Sequence, residues 1–209
     1  MKKLLFVLIA FIAAGCSNIL ENVKAGSSIA NDKIIIVGKV NIVPKFEQFG
    51  DDDWKNKILL FIDDDEKEEF TDDLGLICDL IRMLKEADTV IKSDWDDYFI
   101  VELPRKNFYL KGVYVVAERR GNRDSGLLIR SNIKIDIKAN DRFIYIGDLN
   151  YIMNKKDKYE LQIVNNYDSA RKKYEKYFSN LKGVTLQNRI LINKSKVETF
   201  GATCTLRRY

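Results

Sequence analysis

From residue 33 onward, apolar and polar positions alternate with a period of two, which is the pattern of half-buried β-strands. The clearest run has Ile133, Ile135 and Ile137 on one face and charged residues between them. Polar breaks separate the runs, and GNRDSG at 121–126 has the composition of a turn. The pattern predicts about eight strands, in segments 34–42, 58–62, 98–103, 108–117, 133–137, 143–153, 159–163 and 184–192.

The first of these segments has apolar residues on both faces at its start. Ile34 and Ile36 point to one face and Ile35 and Val37 to the other, and Pro44 closes the segment. Such a start is typical of a strand buried on both sides. We therefore expect a covering layer on each side of this strand.

Two segments replace the period of two with spacings of three and four, which predicts amphipathic helices. The first runs from Leu74 to Ile91 and carries charged residues on its opposite face. The second runs from Ser169 to Leu181, with Asp168 as the expected N-cap and Gly183 as the expected stop. Its predicted buried face consists of Ala170, Tyr174, Tyr177, Phe178 and Leu181.

About eight strands with two inserted helices predict a mainly β fold. We expect a β-sandwich that forms a single domain over residues 33–209. No Pro/Gly-rich stretch and no charge block divides this part of the sequence. Residues 17–32 are small and polar and have no sustained period. We therefore expect residues 16–32 to form a flexible tether.

The first sixteen residues, MKKLLFVLIAFIAAGC, have the organisation of an export signal. Lys2 and Lys3 precede an apolar run from Leu4 to Ala14. This run is too short to cross the hydrocarbon core of a bilayer, which takes about 20 apolar residues. Small residues then lead directly to Cys16.

Three interpretations of this segment compete. A plain secretory signal is compatible with Ala13 and Gly15, whereas an uncleaved anchor needs a longer apolar run. In the third, Cys16 receives a diacylglycerol thioether and the chain is cleaved after Gly15. AAGC at 13–16 resembles the bacterial lipobox, with Ala13 where Leu is usual. Because a cysteine stands where lipidation requires one, we favour a signal peptide at 1–15 and a lipidated Cys16 that anchors the chain in a membrane.

Composition narrows the classes of function. Removing residues 1–15 lowers the formal net charge from +4 to +2 and leaves 33 basic and 31 acidic side chains. Without a concentrated basic field, the sequence argues against nucleic-acid binding. The chain has no histidine, which removes the usual general base, the Ser-His and Cys-His pairs and His-based zinc sites. We therefore expect a protein that is not an enzyme and uses no cofactor.

The two remaining cysteines, Cys78 and Cys204, leave two alternatives open. In an oxidising compartment they are compatible with one disulfide bond. They are also compatible with two separate buried thiols, each acting as a small apolar group.

Acidic loops are the remaining candidates for a site. Carboxylates at 63–66 and 72–73 suit calcium, but Glu68 stands where an EF-hand loop needs glycine. Solvated loops explain these charges equally well, so we predict no metal site. Trp54 and Trp95, each in an acidic loop, are candidate contacts for a sugar or protein partner, with indoles that cap the edge of the core as the alternative.

Two motifs give the chain a resemblance to known proteins. FIYIGD at 143–148 and LQIVNNYD at 161–168, together with the lipobox, resemble a group of small bacterial envelope lipoproteins, and the composition is similar to spirochaete versions. The resemblance implies an immunoglobulin-like or transthyretin-like sandwich that resides in the cell envelope. It implies no activity, because a fold does not supply a function.

We therefore expect a lipid-anchored protein with a non-catalytic binding or structural role, located at the bacterial cell membrane or outer membrane and exposed outside the cytoplasm. Its lipid contacts the membrane, and the protein or glycan it binds is left open, adhesion to host or matrix surfaces included. The alternative is an envelope hydrolase that uses paired carboxylates. Two carboxylates in a concave pocket, one with a raised pKa, would favour the hydrolase, and scattered acids on convex loops would favour the binding protein.

Overall fold

The computed structural model describes residues 18–44, 57–64, 87–120, 123–155, 158–180, 184–190 and 197–207. This part of the chain contains eleven β-strands and one helix. In chain order they are β1 (Asn18–Leu20), β2 (Lys33–Val43), β3 (Lys57–Asp63), β4 (Thr89–Asp94), β5 (Tyr98–Pro104), β6 (Phe108–Arg120), β7 (Arg123–Ile135), β8 (Phe143–Lys155), β9 (Lys158–Val164), α1 (Tyr167–Tyr177), β10 (Gln187–Asn188) and β11 (Val197–Arg207).

The strands form two mixed sheets that meet in β11. Hydrogen-bonded neighbours follow the order β1-β4-β3-β6-β7-β11-β9-β8-β2-β5, and β10 pairs with β8. We call β1, β4, β3, β6 and β7 the first sheet, and β9, β8, β2, β5 and β10 the second sheet. Most neighbours are antiparallel, but β1–β4, β2–β8 and β10–β8 are parallel pairs. The mainly β fold predicted from the alternating pattern is therefore confirmed.

One hydrophobic core lies between the two sheets and gives a sandwich-like arrangement. Ile34 and Ile144 of the second sheet and Leu60 and Val113 of the first sheet belong to this core, and none is more than 1% exposed. Burial of these apolar side chains is the main force that holds the two sheets together.

A second, smaller core lies on the outer face of the second sheet, where α1 covers it. Ala170 and Tyr174 of the helix cluster there with Ile35 and Val37 of β2. The rings of Phe143 and Tyr174 meet edge to face with centroids 5.4 Å apart. The start of β2 is thus buried on both faces, as its sequence predicts.

The structure matches only one of the two predicted helices. α1 begins at Tyr167, with Asn166 rather than Asp168 at the N-cap, and Asp168 lies in the first turn near the positive end of the helix. The first predicted helix falls mostly on residues outside the described ones. Its last predicted apolar position, Ile91, lies in β4 and pairs with Leu60 of β3. Pairing with β3 therefore decides the conformation of this stretch.

The one helix in the described part of the chain, α1, is not long and apolar enough to span a membrane.

Several strand boundaries differ from the prediction. β7 begins at Arg123, so the described residues of the predicted turn at 121–126 lie in a strand. In the predicted strand at 184–192, the described residues form only the two-residue β10. β1 and β4 lack a clear alternating pattern, and pairing with neighbouring strands gives them their extended conformation.

Residues 18–26, which the sequence places in a flexible tether, lie against the domain. β1 pairs with β4 at the edge of the first sheet. The Asn22 side chain accepts a hydrogen bond from the Ile100 N–H at 2.7 Å, and the Val23 N–H donates to the Ile100 carbonyl at 2.9 Å. The Gly26 N–H donates to the Tyr177 carbonyl at 2.9 Å. This segment therefore joins the edges of both sheets on the side opposite β11, and we call it the N-terminal strap.

Candidate functional site

A pocket of about 280 Å³ opens between the two sheets at the end of the domain where β1 begins. We call this the proximal end, and the end with the β6–β7 and β8–β9 hairpins the distal end. Ile62 of β3 pairs with Thr89 of β4, and Thr89 pairs in turn with Asn18 of β1. The pocket has an apolar wall and a charged rim. The wall consists of Ile62, Leu103, Pro104 and Phe108.

Three carboxylates meet at the rim because two antiparallel strands place their ends together. β3 ends at Asp63 and is followed by Asp64, while Asp88 immediately precedes β4. One carboxylate oxygen of each residue lies within 4.8 Å of the others. Asp63 is half-buried, and Asp64 and Asp88 are exposed.

Lys106, in the connection between β5 and β6, adds one positive charge to the rim. Its ammonium donates a hydrogen bond to the Asp64 carboxylate and forms an ion pair with it. The Asp64 backbone N–H donates to Oδ2 of Asp88 at 3.2 Å. The rim is thus a contiguous set of three acids and one lysine, in which the carboxylates of Asp64 and Asp88 both accept hydrogen bonds.

The environments of Asp64 and Asp88 shift their pKa values in opposite directions. The pKa of Asp64 is lowered from its ordinary value, first by the hydrogen bond from Lys106. The pKa of Asp88 is raised, first by partial burial of the carboxyl group and then by the neighbouring Asp64 carboxyl. The pKa of Lys106 is raised, because its ammonium is hydrogen-bonded to Asp64. The arrangement therefore keeps Asp64 ionised and eases protonation of Asp88.

With its carboxylates ionised, this rim carries an excess of negative charge beside an apolar wall. Such a site favours a cation that bears a short hydrocarbon part. With one oxygen from each residue, the three carboxylates supply fewer ligands than the six to eight oxygens that calcium takes. One of the three is already engaged by Lys106. The pocket also matches the sequence criterion for a hydrolase, since two carboxylates lie in a concave site and one has a raised pKa.

Apart from Asp63 and Asp64, no residue that the sequence singled out is among the described residues of this pocket. Cys16, Trp54 and Cys78 lie outside the described residues. Trp95 follows β4 and is 6% exposed within the main core, so its indole offers no exposed platform to a partner. The backbone of Cys204 lies in β11 opposite Gly126 of β7.

Sequence reasoning found Asp63 and Asp64 as an acidic loop but missed Asp88 and Lys106. Asp88 lies in the stretch that was predicted to be helical, so its place beside Asp64 was hidden. Recognition of β4 as the strand that pairs with β3 would have revealed it. Lys106 has no distinguishing sequence signal, because it reaches the rim only through the connection between β5 and β6.

A second polar cluster is buried beneath α1 and has a structural role. Asp148 is 2% exposed and accepts hydrogen bonds from the Tyr145 hydroxyl at 2.8 Å and the Asn166 side chain at 2.6 Å. A β-bulge in β8 carries Gly147 at φ +107, where an added Cβ would lie 2.5 Å from Ile163. The FIYIGD and LQIVNNYD motifs thus meet in one network that connects the second sheet to the start of α1.

No family model, no curated protein and no solved structure matches the chain. The resemblance to bacterial lipoproteins therefore stays a prediction from the sequence motifs.

Proposed function

We propose that this chain is a lipid-anchored protein of the bacterial cell envelope whose domain binds a small cationic ligand without catalysing a reaction. The observation that carries the proposal is the proximal pocket, where an apolar wall meets a rim with three carboxylates and one lysine. The lipobox-like AAGC at 13–16 supports the anchor. The two motifs of the second sheet and α1 support an immunoglobulin-like or transthyretin-like variety of sandwich.

The size and charge of the pocket define the ligand. Its volume of about 280 Å³ lies near the lower limit of ligand sites, roughly 300 Å³, which suits a ligand of few heavy atoms. An ammonium group is expected among Asp63, Asp64 and Asp88, since three carboxylates and one lysine leave an excess of negative charge at the rim. A short alkyl chain on that ammonium would cover Leu103 and Phe108. An alkylammonium ion is therefore the simplest probe of the site.

Nuclear magnetic resonance titration with hexylammonium chloride tests the ligand class on a chain that begins at residue 16 and carries Cys16→Ser. We expect shift changes centred on Thr89, Asp88 and Phe108. Binding should weaken several-fold in a double variant with Asp63→Asn and Asp88→Asn, because each exposed charge pair contributes up to about 1 kcal/mol.

The matched control for this titration is Asp136→Asn, which removes an exposed acid that pairs with Lys134 outside the pocket. We expect this variant to bind hexylammonium as the unmodified chain does. Equal weakening in the control, or binding of hexanoate as strong as that of hexylammonium, would contradict the proposed ligand class.

A hydrolase is the second candidate, because the pKa values of Asp64 and Asp88 move apart as those of an acid and a base do. Two of the three rim carboxylates are exposed to water. This exposure disfavours the hydrolase, because catalytic carboxyl groups act most strongly in a site that excludes water. The hydrolase would be favoured if the protein hydrolysed a substrate and Asp88→Asn lost this hydrolysis while still binding hexylammonium.

A further inference from the structure

We infer that the anchored chain holds its domain directly against the bilayer with the proximal end facing the lipid, instead of letting it move on a long tether. This inference rests on the proposed lipid anchor at Cys16. Beyond that anchor, the inference specifies which surface of the domain meets the membrane and where the pocket lies relative to that surface.

The first argument is that the N-terminal strap is bound along its length. Asn18, Ile19 and Leu20 pair with β4 in parallel register. Farther along, Asn22 and Val23 bond both backbone groups of Ile100 on the outer edge of β5. These contacts fix the direction of the chain, which leaves little freedom between Asn18 and Gly26.

The strap stays bound beyond β5. The Gly26 N–H bonds the Tyr177 carbonyl at the end of α1, and the Asn180 side chain donates to the Gly26 carbonyl at 3.3 Å. Val23 and Ile29 pack against the smaller core beneath α1. A segment with this many contacts to both sheets and to the helix does not act as a free spacer.

The second argument is the short chain between the lipid and the strap. Only Ser17 separates Cys16 from Asn18. Two residues span at most about 7 Å even when fully extended. A thioether on Cys16 would therefore hold the start of β1 within that distance of the residue that carries the acyl chains.

The third argument is the direction in which the domain extends from the start of the strap. Thr89 pairs with Asn18 and also lines the pocket, so the pocket and the start of the strap share the proximal end. β8 runs from Phe143 at this end toward the distal hairpin and has 13 residues. At about 3.3 Å per residue the two ends lie roughly 40 Å apart. The pocket thus faces the lipid headgroups, and the hairpins point away from them.

Energy transfer to the bilayer surface tests this orientation in the full chain, processed in bacteria and reconstituted in vesicles of phosphatidylethanolamine and phosphatidylglycerol. A donor dye is attached through an azido amino acid at Asn140, an exposed residue in the proximal β7–β8 connection, or at Met153, 41% exposed near the distal hairpin. Acceptor dyes are carried by lipid headgroups. We expect the Asn140 label to lose most of its emission and the Met153 label to lose little.

A matched variant with about ten Gly and Ser residues inserted between Ser17 and Asn18 is the control, since such a linker spans roughly 17 Å on average and orients freely. Its two labels should show similar transfer. Similar transfer from both labels in the unmodified chain would overturn the inferred orientation.

Co-flotation with the vesicles is measured on the same samples and keeps the two proposals apart. We expect the wild-type chain to float and Cys16→Ala to stay in solution. If both variants behave alike, the lipid anchor itself is refuted and the orientation with it. If only the wild type floats but its two labels transfer equally, the orientation alone fails.

Discussion

At the scale of single residues, buried polar groups in the described part of the chain differ in whether they have partners. The Tyr145 hydroxyl donates to Asp148, a carboxylate that is 2% exposed, and accepts from the Asn166 N–H at 3.1 Å. The Tyr174 hydroxyl is also buried, but no hydrogen-bond partner lies near it among the described residues. Burial raises the pKa of both phenols. The two tyrosines therefore form a natural comparison.

Tyr145→Phe should lower the free energy of unfolding by about 1–3 kcal/mol, because a buried carboxylate loses one of its donors. Tyr174→Phe should leave stability unchanged or raise it slightly, since it removes a buried hydroxyl that pairs with nothing in the described part of the chain. Urea denaturation of the two variants measures both effects. Equal losses in the two variants would refute the assignment of Tyr145 as a structural donor.

Asp64 and Asp88 should titrate on opposite sides of their ordinary pKa of 3.8. Carboxyl ¹³C shifts are expected to give an Asp64 midpoint below 3.8 and an Asp88 midpoint above it. Lys106→Met should raise the pKa of Asp64, since the neutral side chain no longer favours its ionised form. Lys134→Met removes a lysine that pairs with Asp136 and should leave Asp64 unchanged.

The sign of the stability effect follows from these directions. Stabilisation by Asp64 is present above the unfolded value and disappears as the pH falls through its lowered pKa. The contribution of Asp88 is opposite: it is present at low pH and disappears as the pH rises through its raised pKa.

For the titration of Lys106→Met, an unchanged Asp64 midpoint would show that the ion pair with Lys106 does not lower the pKa of Asp64.

At the scale of elements, the N-terminal strap pairs with the outer edges of both sheets. An edge strand presents unpaired N–H and C=O groups that invite association with another chain. β1 covers the edge at β4, and residues 22 and 23 cover part of the edge at β5. A segment with little regular pattern in its sequence thereby becomes part of the fold.

Asn22→Ala is expected to lower the free energy of unfolding by about 1–3 kcal/mol, because the half-buried Ile100 N–H loses its acceptor. Asn140→Ala, at an exposed connection, should change it by no more than about 0.5 kcal/mol. Chemical denaturation compares the two. A loss in Asn22→Ala no larger than in Asn140→Ala would mean that the hydrogen bond from Ile100 to Asn22 does not contribute to stability.

At the scale of the whole molecule, β11 connects the two sheets into one continuous order. Its pairing changes from β9 to β7 between Phe200 and Gly201. Glycine at such a point permits the bend that a strand needs when it passes from one sheet to another. The strap closes the opposite side through β4 and β5. One core is therefore bounded by contacts between segments that are far apart in the chain.

The sequence by itself determined the class of fold, most of the strands, the second helix and the signal-like N-terminus. These follow from local periodicity and composition, because alternation exposes one face of a strand to the core wherever that strand lies. The doubly apolar start of β2 even indicated the layer that α1 supplies. The same local rules failed at Ile91, where spacing favoured a helix and pairing with β3 produced a strand.

Only the tertiary structure decided which strands are neighbours, and with them the site. Asp64 and Asp88 are 24 positions apart, and Lys106 is 42 positions from Asp64. Strand pairing and the β5–β6 connection bring them together, and no local pattern records such a meeting. The same holds for the strap, whose partners Ile100 and Tyr177 lie far along the chain. The free energy of these contacts arises only when the sheets form, so it leaves no period in the sequence.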